Sequence, residues 1–264
     1  DVLIAVKYCS LAGGDILFID NRWGDTSYPY IPSSEAFGIV KEKGENVKGL
    51  EIGDFVGISY QMTSCMQCEY CKIGKEQFCR KQKVLGINGF GALADYIIFD
   101  SRFVYKIPKE LQTPEHVSLM CSGSTPFSAI KKSGVKAGAK VGLVGVGNLG
   151  HLALQILTKL GCEVTVFSHS KTKETQLNTL GARGFINSTD RAVLKKEESK
   201  YDYIFSTSSG TLEWELYIKM LKPQGTIFFI GLPPDKVCFS VELLADYAQR
   251  TIGGSYSCSR SELK

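Results

Sequence analysis

The chain has no apolar run approaching the ~18 residues of a membrane span, and no succession of charged, apolar and small residues marking a signal peptide. It also lacks repeats and low-complexity segments, so solenoid arrays and linker-rich architectures are excluded. Charge of one sign is not in excess either. The 31 basic and 27 acidic residues leave a net +4 spread along the sequence, too balanced for a polyanion-binding surface, so nucleic acid is not favoured as a partner. Residue 1 is Asp, and the chain opens directly into "DVLIAV", an apparent strand. The N-terminus is therefore expected to be missing, and any targeting segment with it.

At 264 residues and 44% hydrophobic composition, the sequence suffices for one large core or two moderate ones, and two domains are expected. Four of the nine cysteines fall between Cys65 and Cys79. That distribution fits thiols kept reduced in a cytoplasm and partly used for metal better than a disulfide framework. A soluble cytoplasmic protein is expected.

From Asp1 to about Tyr105 the sequence consists of short apolar or alternating runs such as "FGIVKEKG", "DFVGISY" and "ALADYIIFD", broken by Gly, Pro and Asn. This is all-β punctuation. The texture changes near Pro114, where Thr113 offers an N-cap, Pro114 a first helical position and Glu115 a first-turn acid, and a helix is expected to open. Beyond it, strands such as "AKVGLVGV", "EVTVFSHS" and "YDYIFSTSS" alternate with helical stretches such as "GHLALQILTKLG", "KTKETQLNTLGA", Arg191 to Lys200 and "LEWELYIKMLKPQG". Alternation at this spacing predicts an α/β fold with a doubly wound parallel sheet.

Two motifs carry chemistry. In "GLVGVGNLG", Gly145, Gly147 and Gly150 stand in G-x-G-x-x-G register between a strand and a helix, with Asn148 and Leu149 among them. The first glycine permits a tight turn, the second admits a pyrophosphate to the backbone and the third allows close helix–sheet packing. At the end of the next strand an acidic residue would bind the ribose hydroxyl of NAD, yet the sequence there is "VFSHSKTK". Ser168, His169, Ser170, Lys171 and Lys173 offer hydroxyls and cations that would attract a 2′-phosphate, so NADP(H) is preferred over NAD, a solvated helix start being the alternative.

The second motif is "SCMQCEYCKIGKEQFC", in which Cys65, Cys68, Cys71 and Cys79 form C-x2-C-x2-C-x7-C. Four thiolates that close together can complete a tetrahedral zinc site with no open position, which organises a loop and does not activate substrate. An iron–sulfur cluster is the lesser alternative.

With a β-rich first part, a four-cysteine lobe and a dinucleotide fold, the chain resembles the zinc-containing medium-chain alcohol dehydrogenases. "FIDNRWG", "YPYIP", "GIVKEKGENVKGLEIGDFVGI", "CEYC", "EQFC", "SLMCSG" and "GVGNLGHLALQ" look most like the cinnamyl alcohol dehydrogenase branch. The resemblance implies a GroES-like catalytic domain over residues 1–115, a Rossmann domain over 116–252 and, over 253–264, the start of a return to the first domain. It implies NADP(H) and a structural zinc as cofactors, a small-molecule substrate and a homodimer. Carried over by position, it places Thr125, Thr207, Gly231, Leu232 and Ser255 beside the cofactor, with Ser206 preceding Thr207 at a strand end.

The family also holds a catalytic zinc, and here the sequence departs from it. The Cys-His-Ser/Thr-Asp of the family falls on Ala12, Gly13, Gly14 and Asp15, and its Pro-Gly-His-Glu on Pro32, Ser33, Ser34 and Glu35. The helix cysteine matches Cys121. Of the ligand positions, Cys121 and Glu35 alone keep a ligating residue type, whereas such sites ordinarily supply three protein ligands. The three histidines, His116, His151 and His169, read as structural or cofactor-facing. Hydride transfer needs a nicotinamide held against an electrophilic carbon, which the fold supplies without metal; the zinc would have stabilised the developing oxyanion. An NADP(H)-dependent oxidoreductase acting on an aldehyde, alcohol or conjugated carbonyl without a catalytic zinc is therefore expected, with Ser34, Tyr60 and Ser10 as weak donor candidates and no catalytic residue fixed. A non-catalytic NADPH-binding sensor or scaffold is the alternative.

Overall fold

Short β-branched and aromatic runs pair into an antiparallel sheet in the first part of the chain, and near-continuous apolar runs form a parallel sheet in the second. The computed structural model describes residues 1–87 and 90–264. One compact unit comprises Asp1–Ser124 with Ser257–Lys264, and the other Thr125–Tyr256.

In the first unit β1 (Val2–Cys9), β2 (Ala36–Lys43), β3 (Phe55–Ile58), β6 (Tyr96–Phe99) and β7 (Val104–Lys106) form a five-stranded sheet in the order β6-β1-β2-β3-β7. A two-stranded ribbon pairs β4 (Gln61–Thr63) with β5 (Lys83–Val84). Val2, Ile4, Val40, Val56, Ile58 and Phe99 of the five-stranded sheet are buried in the core of the unit, as inward-facing positions of period-2 strands require.

Two local features depart from the sequence expectation. Residues Gly13–Ile19 form a helix inside what reads as an all-β region. Two glycines make a poor helix start, but the Asp15 carboxylate accepts the Ala12 N–H at 2.7 Å and so satisfies a donor that helix entry leaves free. Near Pro114 the backbone forms a 3-10 helix over Pro114–Leu119, and the α-helix starts at Ser124. The Thr113 hydroxyl bonds His116 Nδ1 at 3.0 Å instead of capping the backbone.

In the second unit β8 (Lys140–Val144), β9 (Glu163–Ser168), β10 (Gly184–Asn187), β11 (Tyr201–Ser206), β12 (Leu221–Phe229) and β13 (Thr251–Gly254) form a six-stranded sheet in the order β10-β9-β8-β11-β12-β13. Every ladder in it is parallel. This is the doubly wound order, in which the chain reverses direction across the sheet between β8 and β11. Val141, Leu143, Val164 and Val166 are inaccessible to solvent and pack with Leu154 and Leu157 of the helix Asn148–Lys159. The stretch expected as one helix from Leu212 divides: Trp214–Met220 is helical, and Leu221 onward joins β12, because Pro223 cannot continue a helix and Gln224 takes a positive φ of 64°. The helix expected across Arg191 to Lys200 ends at Lys195.

Candidate functional site

Because the strands of the second unit run parallel, their C-terminal ends lie along one edge, and the chain segments that follow β8, β9, β11, β12 and β13 gather there. Gly145 leaves β8 with φ +85°, a left-handed conformation that favours glycine, and its N–H bonds Phe167 O at the end of β9. A Cβ on Gly150 would collide with the Gly145 carbonyl and lie 2.8 Å from Thr207 Oγ1. The helix can approach the strand this closely only with glycine at that position. A Cβ on Gly147 would meet nothing within 4 Å. The space beside it is open where a pyrophosphate would come, and as N-cap it has no side chain to bond the first-turn N–H groups of Asn148–Lys159. These features fit a dinucleotide.

Of the other expected cofactor residues, Ser168 to Lys173, Thr207, Gly231, Leu232 and Ser255 stand at or just after strand ends on that edge. The Thr207 hydroxyl bonds Gly145 O at 2.9 Å and so braces the glycine turn. Gly231 follows β12 in such close contact with Thr207 and Ser208 that a Cβ there would lie 2.5 Å from Ser208 O. Leu232 beside it is 55% exposed, and the Ser255 N–H bonds Phe229 O at 3.1 Å. Thr125 is half-buried in the first turn of the helix Ser124–Ser133. Ser168 is buried, and its hydroxyl accepts from the Ser170 N–H at 3.2 Å, while His169 and Lys171 are exposed. Lys173 reaches across to the glycine turn, where Nζ donates to Val146 O at 3.2 Å.

In the first unit the sulfur atoms of Cys65, Cys68, Cys71 and Cys79 all lie within 4.8 Å of one another. The Cys65–Cys71 and Cys68–Cys71 separations, 4.0 and 3.5 Å, bracket the edge of a tetrahedron of thiolates about zinc. Main-chain N–H groups support the ring: Cys65 N–H points at Cys79 Sγ and Cys68 N–H at Cys65 Sγ, each at 3.4 Å. The N–H groups of Gln67 and Cys68 lower the Cys65 thiol to about 6, while burial pushes Cys71 up to about 11. The donor set and its spacing fit a structural zinc.

The positions that resemblance assigns to a catalytic zinc have a different chemistry. Glu35 is buried, and its carboxylate accepts four hydrogen bonds: Oε1 from the hydroxyls of Ser10 at 2.5 Å and Ser122 at 2.7 Å, Oε2 from the N–H groups of Cys121 at 2.6 Å and Ser122 at 3.1 Å. Burial pushes its carboxyl above the usual range against the pull of the Ser10 and Ser122 hydroxyls and the two N–H groups. Asp15, also buried, accepts from the N–H groups of Ala12 and Ser33, each at 2.7 Å, and burial raises it too. Ser34 and Tyr60 are half-buried. Among the described residues the four cysteines are the one group of three or more His, Cys, Asp or Glu side chains able to hold a metal. The roles of Ser122 and Asp15 escape sequence reasoning, because Ser122 lies 87 residues from Glu35 and no local motif joins them.

An antiparallel β unit with a four-thiolate lobe, joined in sequence to a doubly wound sheet with a glycine-lined phosphate turn, defines a zinc-binding dehydrogenase. Residues 1–109 match the alcohol dehydrogenase GroES-like domain, and residues 148–264 match the zinc-binding dehydrogenase family. The chain belongs to the zinc-type medium-chain alcohol dehydrogenases, in their cinnamyl alcohol dehydrogenase-like branch. It is 38% identical over 232 residues to the aldehyde reductase AdhA of Synechocystis sp., covering 88% of this chain and 69% of that protein. The cinnamyl alcohol dehydrogenase of Sorghum bicolor superposes with a TM-score of 0.94 at 29% identity, covering 99% of this chain and 77% of that one. The Helicobacter pylori enzyme of the same name, solved in complex with NADP(H), superposes with a TM-score of 0.91 at 30% identity, with the same coverage.

Proposed function

We propose that the chain is an NADP(H)-dependent oxidoreductase that moves a hydride between the nicotinamide and a small carbonyl or alcohol, and that it does so without a catalytic zinc. The observation that carries the second half is the donor set of the first unit: Ala12, Gly13 and Ser34 offer no metal ligand, and the Glu35 carboxylate is committed to four hydrogen bonds. An ionised carboxylate offers about four lone-pair sites, so Glu35 has none left for a cation. The preference for the phosphorylated cofactor rests on Ser170, Lys171 and Lys173 and on the lack of an acid at the end of β9. The aldehyde reductase and cinnamyl alcohol dehydrogenase relatives support a carbonyl substrate.

Bound NADPH supplies the hydride. The glycine turn and the helix Asn148–Lys159 bind its phosphates, and the strand ends at Thr207, Gly231 and Ser255 orient the rest of it. Without a Lewis acid, an isolated alkoxide would lack several kcal/mol of stabilisation, on the order of what one preorganised charge supplies. A conjugated carbonyl is the favoured substrate, because hydride added at its β-carbon leaves an enolate whose charge is delocalised. That enolate then takes a proton at the α-carbon, for which a hydroxyl such as Ser34 or Tyr60 is a candidate donor. A homodimer in a reducing cytoplasm is part of the same reading, supported by family likeness and by the distribution of cysteines.

Metal analysis should return one zinc per chain, and NADPH oxidation measured against aldehydes, enals and quinones should be fastest with the enals. Two zincs per chain would sink the zinc-free reading. Tight NADPH binding with no turnover across the panel would favour the non-catalytic sensor, for which the missing ligands speak equally.

A further inference from the structure

Two buried carboxylates bond to three stretches of the first unit that lie far apart in sequence. Asp15 joins Ala12 to Ser33, 18 residues on, and Glu35 joins Ser10 to Cys121 and Ser122, 86 and 87 residues on. Four of the six donors are main-chain N–H groups, so the bonds fix backbone and not merely side chains. Each is a charge-assisted bond away from water when the carboxylate is ionised, roughly twice as strong as a neutral pair. The Oε2 bonds also survive protonation, since a proton on Oε1 can be shared with the Ser10 or Ser122 oxygen while Oε2 continues to accept two N–H groups.

We propose that Asp15 and Glu35 are the positioning residues of this site, a carboxylate cross-link that holds residues 10–15, 33–35 and 121–122 together with no metal between them. The proposal rests on the zinc-free reading above. It assigns Ser10 and Ser122 a purpose that ligand arithmetic alone does not: they fill the lone pairs of Glu35 that would otherwise be buried without a partner.

The test is residue-resolved amide exchange on the 264-residue chain, before and after a strong chelator, with zinc counted in parallel. Chelation should remove one zinc and accelerate exchange in the cysteine lobe, while the amides of Ala12, Ser33, Cys121 and Ser122 keep their protection within about twofold. In Glu35→Leu, which removes both acceptor oxygens, the Cys121 and Ser122 amides should exchange roughly 10- to 100-fold faster, with Ala12 and Ser33 unchanged, and Asp15→Leu should give the converse pattern. Glu35→Gln, whose amide oxygen can still accept both N–H groups, should keep most of the protection lost in the Leu variant; mere space-filling would leave the Leu and Gln variants alike. Should Glu35→Leu fail to fold, Ser10→Ala removes one bond of four and should speed the same two amides by roughly fivefold. Unchanged exchange at Cys121 and Ser122 in Glu35→Leu or in Ser10→Ala overturns the cross-link while leaving one zinc per chain. A second zinc whose removal loosens all three stretches overturns both readings together.

Discussion

A methyl group separates glycine from alanine, and at Gly147 and Gly150 that group has opposite consequences. Gly147 has an ordinary φ of −85° and open space around its missing Cβ, whereas Gly150 abuts the carbonyl of Gly145. Gly147→Ala should therefore melt within a degree or two of the parent yet bind NADPH at least about tenfold more weakly in a fluorescence titration, because the methyl would fill the open space proposed above for the phosphates. Gly150→Ala should cost about 1–3 kcal/mol of stability by overpacking, visible directly in a thermal melt. Equal losses of stability in the two variants would contradict the different roles. This glycine pattern was legible in the sequence because its physical property, the lack of a Cβ, is the letter itself. The bonding of Glu35 was not legible: the residue is plain in the sequence, but its partners at Ser10, Cys121 and Ser122 are chosen by tertiary folding.

Between the third and fourth cysteines the lobe carries a short 3-10 helix, Glu76–Phe78, that is tied to the segment after Ser257. Arg260 Nη1 bonds Glu76 Oε1 at 3.2 Å, and its guanidinium lies 5.3 Å from the centre of the Phe103 ring. Both side chains are mostly buried, and Glu76 Oε2 and Arg260 Nε have no hydrogen-bond partner among the described residues. Breaking a buried pair from one side leaves the other charge uncompensated, which typically costs 3–5 kcal/mol. Glu76→Gln should therefore destabilise the first unit by about 3 kcal/mol and speed chelator-driven zinc release, followed with a metal-sensitive dye. An unaltered release rate would argue that the ion pair and the metal lobe are independent. At this scale the doubly wound parallel sheet was predictable from alternating strand and helix patterns. The helix Gly13–Ile19 was hidden by its two glycines, and the start of β12 by Pro223, since local propensity opposes both elements and tertiary bonds override it.

Over the whole molecule, two units with separate cores need not unfold as one, so a melting temperature belongs to the transition of one unit, the second in the case of the Gly147 and Gly150 variants. In the second unit Asp202 accepts from Lys222 Nζ at 2.7 Å and from the Lys140 N–H at 2.8 Å; burial works to raise its carboxyl, but these partners together hold it below the usual aspartate range. A carboxyl depressed in the fold contributes stability that is present above its unfolded value, about 3.9, and is lost as pH falls through the lower folded value. Acid should thus weaken the second unit below about pH 4, and Asp202→Asn should flatten that limb of its stability profile, as read by circular dichroism; an unchanged limb would assign the acid response to other groups. The division of the chain also governs the order of events during synthesis. Glu76 and Arg260 are 184 residues apart, with the whole of the second unit between them. A ribosome making this chain must deliver the complete nucleotide fold before the cysteine lobe can receive its arginine, so the first unit begun is the last one closed.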